Sequence, residues 1–160
     1  MENDELYQKL IDCNCLKRGE FKLKNGQVSE YYFDIKNVIS YPSLLRYIGT
    51  QLFNILDEFD IICGIPYGAL PIATYISTTY NKPLIYIRDK KKEYGTQKLI
   101  EGEYKKTDRC VIIDDVLTTG GSLEKDYNIL KEHVNIVDTA VVVNRNKDYK
   151  IKSLLQLNWF

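Results

Sequence analysis

Residues 110–122, CVIIDDVLTTGGS, constrain the fold of this chain more than any other stretch. Cys110 to Ile113 form a short apolar run, rich in β-branched side chains, of the kind that fills a central strand covered on both faces. Two acids, Asp114 and Asp115, follow at its carboxyl end, where open α/β sheets place their ligands. Thr118, Thr119, Gly120, Gly121 and Ser122 then make a turn rich in hydroxyls and glycine, and apolar Leu123, Tyr127 and Leu130 mark a helix beyond it. A helix opening on such a turn leaves backbone N–H groups aimed into it, so an anion is the expected occupant. Each piece alone is an ordinary strand end or helix cap. The order strand, acid pair, turn, helix reads instead as a cradle for phosphate and sugar. The chain holds neither GxxxxGK nor GxGxxG, which removes the main support for an ATPase or a dinucleotide-dependent dehydrogenase.

The rest of the chain supplies a sheet around that strand. Leu6, Leu10 and Ile11 mark a short amphipathic helix. Residues 21–23 and 31–35 alternate about Asn25-Gly26 and predict an antiparallel hairpin. Residues 43–56 predict a helix with one apolar stripe of Leu44, Leu45, Ile48, Leu52, Ile55 and Leu56. A strand at 61–65, a Gly/Pro loop at 64–71, a helix at about 69–80 and strands at 84–87 and 137–143 complete the alternation, which implies right-handed crossovers and a mainly parallel sheet. Gly64 and Gly68 let that loop approach a ligand at the same sheet edge as Asp114. Residues 88–106 carry Arg88, Lys90, Lys91, Lys92, Lys98, Lys105 and Lys106 with little core pattern. They read as an exposed mobile loop, either solvated charge or a basic lid for an anionic leaving group. The tail from Ile151 suits an edge strand or a dimer surface.

A chain of 160 residues, 44% hydrophobic, suits one domain with its own core: helix and hairpin over 1–40, an α/β core over 41–145. Twenty-two basic and 22 acidic side chains cancel, so no global field draws the protein to nucleic acid or an anionic membrane. No apolar run approaches a membrane span, and acidic Glu2, Asp4 and Glu5 do not suit a signal peptide. Cys13, Cys15, Cys63 and Cys110 include no CxxC pair and fit free thiols of a reducing compartment, and with a lone His133 they do not assemble a zinc site. A cytoplasmic location is expected.

Residues 110–122 resemble the phosphoribosyl-diphosphate (PRPP) motif of the type I phosphoribosyltransferases. Three further segments, in family order, narrow the likeness to the orotate phosphoribosyltransferases: FKLKNGQVSEYYFDIK (21–36) is similar to the substrate hairpin, ICGIPYGALP (62–71) to the diphosphate loop, and YGTQKLIEG (94–102) to the end of the mobile catalytic loop. The resemblance implies a type I phosphoribosyltransferase-like α/β fold with a small hairpin hood. It implies Mg-dependent transfer of ribose 5-phosphate from PRPP to N1 of orotate, giving orotidine 5'-monophosphate and diphosphate in pyrimidine (UMP) biosynthesis.

Carried over by motif, Lys92, Asp114 and Asp115 are the catalytic group. PRPP contacts fall to Tyr67, Gly68, Arg88, Lys92, Tyr94, Asp114, Asp115 and the turn Thr118, Thr119, Gly120, Gly121 and Ser122. Orotate contacts fall to Lys24, Tyr32, Phe33, Thr118 and Arg145; aromatic faces and a cation suit a flat anionic pyrimidine, and a guanidinium suits its carboxylate. Strand packing is an equal reading of Tyr32 and Phe33. The resemblance implies Mg2+ held by PRPP oxygens with no direct protein ligand, its water reaching Asp114 and Asp115, and a homodimer sharing the lid loop. The chain departs from the family pattern at Asp89, where a second lysine is usual, and at Asn144, where an Asp commonly precedes the arginine. Two rivals stay open: a transferase for another base, against which the hairpin, YGTQKLIEG and Arg145 argue, and a PRPP-binding regulator without turnover, against which Lys92 and the neutral charge argue.

Overall fold

Unbroken apolar runs need cover on both faces, and the strands Ile61–Gly64 (β3) and Arg109–Leu117 (β6) receive it. The computed structural model of the protein describes residues 3–22, 26, 28–90, 93–95 and 97–157. Six strands form the main sheet, in the order Ile100–Glu101 (β5), Leu84–Ile87 (β4), β3, β6, Asn135–Asn144 (β7) and Lys152–Gln156 (β8). All neighbours run parallel except β4 and β5.

Strand alternation sends successive side chains to two separate cores. Ile62, Val111, Ile113 and Val142 join one, with Leu6 and Leu10 of helix α1 (Asn3–Asp12), Leu44, Ile48 and Leu52 of α2 (Pro42–Ile55), and Ile72 and Ile76 of α3 (Leu70–Tyr80). Ile61, Cys63, Cys110, Ile112 and Val141 join the other, under Leu123 and Leu130 of α4 (Gly121–Leu130). Continued through the acids, the same alternation sets Asp114 toward α4 and Asp115 toward the loop between β3 and α3. The hairpin is a separate two-stranded sheet, Leu16–Lys22 (β1) against Val28–Phe33 (β2), with an irregularity between Arg18 and Phe21.

Several expectations are corrected. The hairpin strands begin earlier than the local alternation suggests, and Ile35 opens a 3-10 turn, Ile35–Ser40, that buries Ile35 and Val38. The stretch 88–106 is not all loop, because Ile100–Glu101 pairs antiparallel with Tyr86 and Ile87. Strand β6 runs through the acid pair to Leu117, since β7 offers partners as far as Asn144. In α4 the inward positions are Leu123, Asp126 and Leu130, and Tyr127 is exposed. The tail provides edge strand β8 beside β7. No helix among the described residues is long and apolar enough to cross a membrane.

Candidate active site

Three loops at the carboxyl ends of parallel strands meet around the acid pair. The turn after β6 closes a small cup of about 40 Å3 lined by Asp114, Thr118, Thr119, Gly120, Gly121 and Ser122. Gly120 stands at the N-cap of α4 with φ +89°, a conformation that favours glycine, and the first N–H of the helix, that of Gly121, points back into the turn, where it donates to Thr119 Oγ1 at 3.4 Å. Volume, hydroxyls and donors suit a single phosphate group.

Asp114 is 8% exposed, and its Oδ1 accepts the N–H of Asp115 at 2.8 Å. Burial first, and then the adjacent charge of Asp115, push its carboxyl up to about 8. Asp115 Oδ1 accepts the N–H of Val116 at 2.8 Å, and its other oxygen lies against Gly68. A methyl group at Gly68 would stand 2.6 Å from the carboxyl carbon of Asp115. The loop is fastened below by Ile65 N–H donating to Ile113 O at 3.0 Å, and its Pro66–Tyr67 peptide is cis. Sequence alone places the two segments at one edge; the structure brings the Gly68 backbone onto the Asp115 carboxylate.

Beyond that loop, Pro66, Tyr67, Tyr86, Arg88, Asp89 and Lys90 line a cleft of about 490 Å3. A smaller hollow of about 80 Å3 connects Pro66, Arg88 and Asp89 with Ser122 and Asp126. Tyr67 is exposed, and its hydroxyl donates to Asp89 at 3.1 Å. The Arg88 guanidinium pairs with Glu101 at 2.9 Å, so the short strand β5 holds it at the cleft wall. Tyr94 is 85% exposed. Lys24 and Lys92 lie outside the described residues.

Hairpin residues divide by face. Tyr31 and Phe33 pack toward the main core, whereas Tyr32 points outward and stacks at a tilt on Phe21 with ring centres 5.4 Å apart. Arg145 follows β7 half-buried, and burial lowers its pKa. Its N–H donates to Leu117 O at 2.9 Å, which seats it beside the start of the phosphate turn. Asn144, 1% exposed, uses both ends of its amide: Nδ2 donates to Tyr149 O at 2.9 Å and Oδ1 accepts from Asn146 N–H at 2.8 Å. An aspartate here would turn a carboxylate oxygen on a carbonyl. Asn144→Asp is therefore expected to lower stability by about 1–3 kcal/mol, read as a lower denaturation midpoint at neutral pH; an unchanged midpoint would show that the loop reorganises freely.

A model of the phosphoribosyl transferase domain family matches residues 36–156. The orotate phosphoribosyltransferase of Pyrococcus horikoshii is 43% identical over 152 residues, which cover 92% of this chain and 82% of that protein. This chain belongs to the orotate phosphoribosyltransferase family. Among solved structures, the orotate phosphoribosyltransferase of Aeropyrum pernix superposes with a TM-score of 0.78 at 25% identity, covering 95% of this chain and 93% of that one. The UMP synthase of Leishmania donovani superposes with a TM-score of 0.79 at 35% identity over 96% of this chain, which spans only 36% of that longer chain.

In this member of the orotate phosphoribosyltransferase family, three residues at the site had no signal in the sequence. Asp126, buried at 7% exposure, faces the small hollow, and burial raises its carboxyl pKa. Glu101 anchors Arg88. Tyr149 lies against Gly120, where a methyl group would come within 2.6 Å of its ring. Asp126 enters with the inward stripe of α4, and Glu101 and Tyr149 are brought in by strand pairing and loop closure.

Proposed function

We propose that this chain transfers ribose 5-phosphate from PRPP to N1 of orotate. The bond between the anomeric carbon and the diphosphate oxygen breaks with its electron pair on the diphosphate, the bond to N1 forms, and the N1 proton of orotate passes to the departing diphosphate. No protein nucleophile is needed, so the site works by holding two substrates in line and by stabilising charge as it moves to the leaving group. The contact of Asp115 with the Gly68 turn carries the reading, because it brings the diphosphate-loop backbone to the acid pair.

The turn from Thr118 to Ser122 would grip the 5'-phosphate with N–H groups and hydroxyls. Asp114 and Asp115 would accept the ribose hydroxyls, and Tyr67, Gly68 and Arg88 would face the diphosphate. Lys92, with Tyr94 beside it, would reach the leaving group from the lid. Thr118, Arg145 and, from the hairpin, Lys24 and Tyr32 would hold orotate, with Phe33 packed toward the core behind them. Among the described residues no three or more His, Cys, Asp or Glu side chains gather as metal ligands. Two adjacent carboxyl groups beside the phosphate turn, Asp114 and Asp115, fit a hydrated Mg2+ whose remaining ligands would be PRPP oxygens. Bound there, the ion would neutralise diphosphate charge. A homodimer sharing the lid loop and a cytoplasmic location complete the proposal, the latter supported by four free cysteines, three of them buried.

Diphosphate release with PRPP, Mg2+ and a panel of bases tests the reading. Orotate should support release and adenine or hypoxanthine should not, and Lys92→Ala should lower turnover by about 100-fold or more. Equal release with a purine would reassign the substrate; an unimpaired Lys92→Ala would remove the lysine from the mechanism.

A further inference from the structure

The segment after β7 closes back on the phosphate turn through one side chain. Tyr149 packs its ring on Gly120 at the turn's left-handed corner. Burial and then the nearby charge of Glu124, in the first turn of α4, raise its phenol pKa, and Glu124 N–H itself donates to Gly120 O at 2.9 Å. Its carbonyl accepts the amide of Asn144, and its N–H donates to Asn146 O at 3.2 Å. Asn144 immediately precedes Arg145, whose N–H returns to Leu117, the last strand residue before the turn. The contacts form a closed circuit from Leu117 through the turn to Tyr149, Asn144, Arg145 and back.

We propose that Tyr149 is a positioning residue that holds the phosphate turn and the Arg145 segment as one unit, so that filling the turn with a 5'-phosphate sets Arg145 for the second substrate. The inference rests on the assignment of those two elements to PRPP and orotate given above. A ring stacked on a glycine backbone is sensitive to any shift of that backbone, because the gap admits no added methyl group. Two substrates that must meet within a fraction of an ångström benefit from such a tie. Glu124 is the titratable group facing the Tyr149 hydroxyl. Partial burial of the ring against the core under α4 would by itself be only packing, so the test needs a readout that packing does not move.

Tyr149→Ala should raise KM for both PRPP and orotate by about tenfold with a smaller change in kcat, while Tyr149→Phe, which keeps the ring, should stay within about twofold. In the double variant with Arg145→Ala, the effect of Tyr149→Ala on orotate KM should largely vanish. Backbone amide exchange on the unaltered protein reads the coupling directly: PRPP, or inorganic phosphate alone, should slow exchange over 145–149 as well as over 118–122. A KM effect confined to PRPP, additive single and double variants, or protection of the turn with none at 145–149 would overturn the inference. Absence of orotate transfer by the wild-type protein would instead count against the substrate assignment, and the amide-exchange arm would still decide the tie.

Discussion

Asp114→Asn is expected to stabilise the free protein above neutral pH by about 2–4 kcal/mol while lowering turnover about 100-fold or more. Burial and the charge of Asp115 raise the Asp114 carboxyl to about 8 in the folded state, against 3.8 for an unstrained carboxyl. A raised acid favours the folded state while it is protonated. That contribution is complete below about pH 4 and is lost as pH rises through about 8. Asparagine keeps the oxygen that accepts the Asp115 N–H and removes the charge, so its stability should be nearly flat over the same window. Urea denaturation of both proteins at pH 4 and pH 9 checks the sign: similar midpoints at pH 4, and the variant higher at pH 9. Parallel losses would mean that Asp114 ionises without penalty. Turnover falls because Asp114 can ionise once Mg2+ and PRPP are bound and then accept the ribose hydroxyls, which an amide cannot do, so stability and activity move in opposite directions at one side chain.

Gly68→Ala is expected to reduce kcat/KM for PRPP by about 100-fold or more with little loss of stability. The added methyl would meet the Asp115 carboxylate, with its carbon 2.6 Å from Cγ. Either the acid swings away from the sugar or the loop lifts from the sheet edge, and the diphosphate and ribose sites then lose their mutual setting. Because the clash falls on the end of a surface-accessible side chain and not on the core, the melting temperature should shift little. Steady-state kinetics beside a thermal melt separates the two effects; wild-type kinetics would show that the close approach serves packing alone.

The parts of the site carried by local chemistry were legible from residues alone. The run at Cys110, the acid pair, the glycine turn and the Gly64–Gly68 loop announce strand, ligand edge and helix start because each requires particular side chains at fixed spacing. What the sequence hid depends on distant partners. Strand β6 extends to Leu117 only because Val143 and Asn144 lie alongside it, and β5 exists only because Tyr86 and Ile87 offer it an edge. Tyr127 takes the apolar place in the sequence pattern of α4, but the docked helix turns Asp126 inward and leaves Tyr127 outside. Tyr149 belongs to no motif, and its place over Gly120 follows from the loop that Asn144 folds. Asn144 itself, a departure from the family pattern, is explained by the carbonyl that its amide must meet.

Titration of the protein with PRPP and Mg2+ in a calorimeter, with the wild type and Gly68→Ala side by side, bears most directly on the claim that the acid pair and the glycine-bearing turn hold a phosphorylated pentose. Saturable heat from the wild type, weakened at least about tenfold by the added methyl, is the result the account predicts. No saturable heat from the wild type, or equal affinity in both proteins, would contradict it.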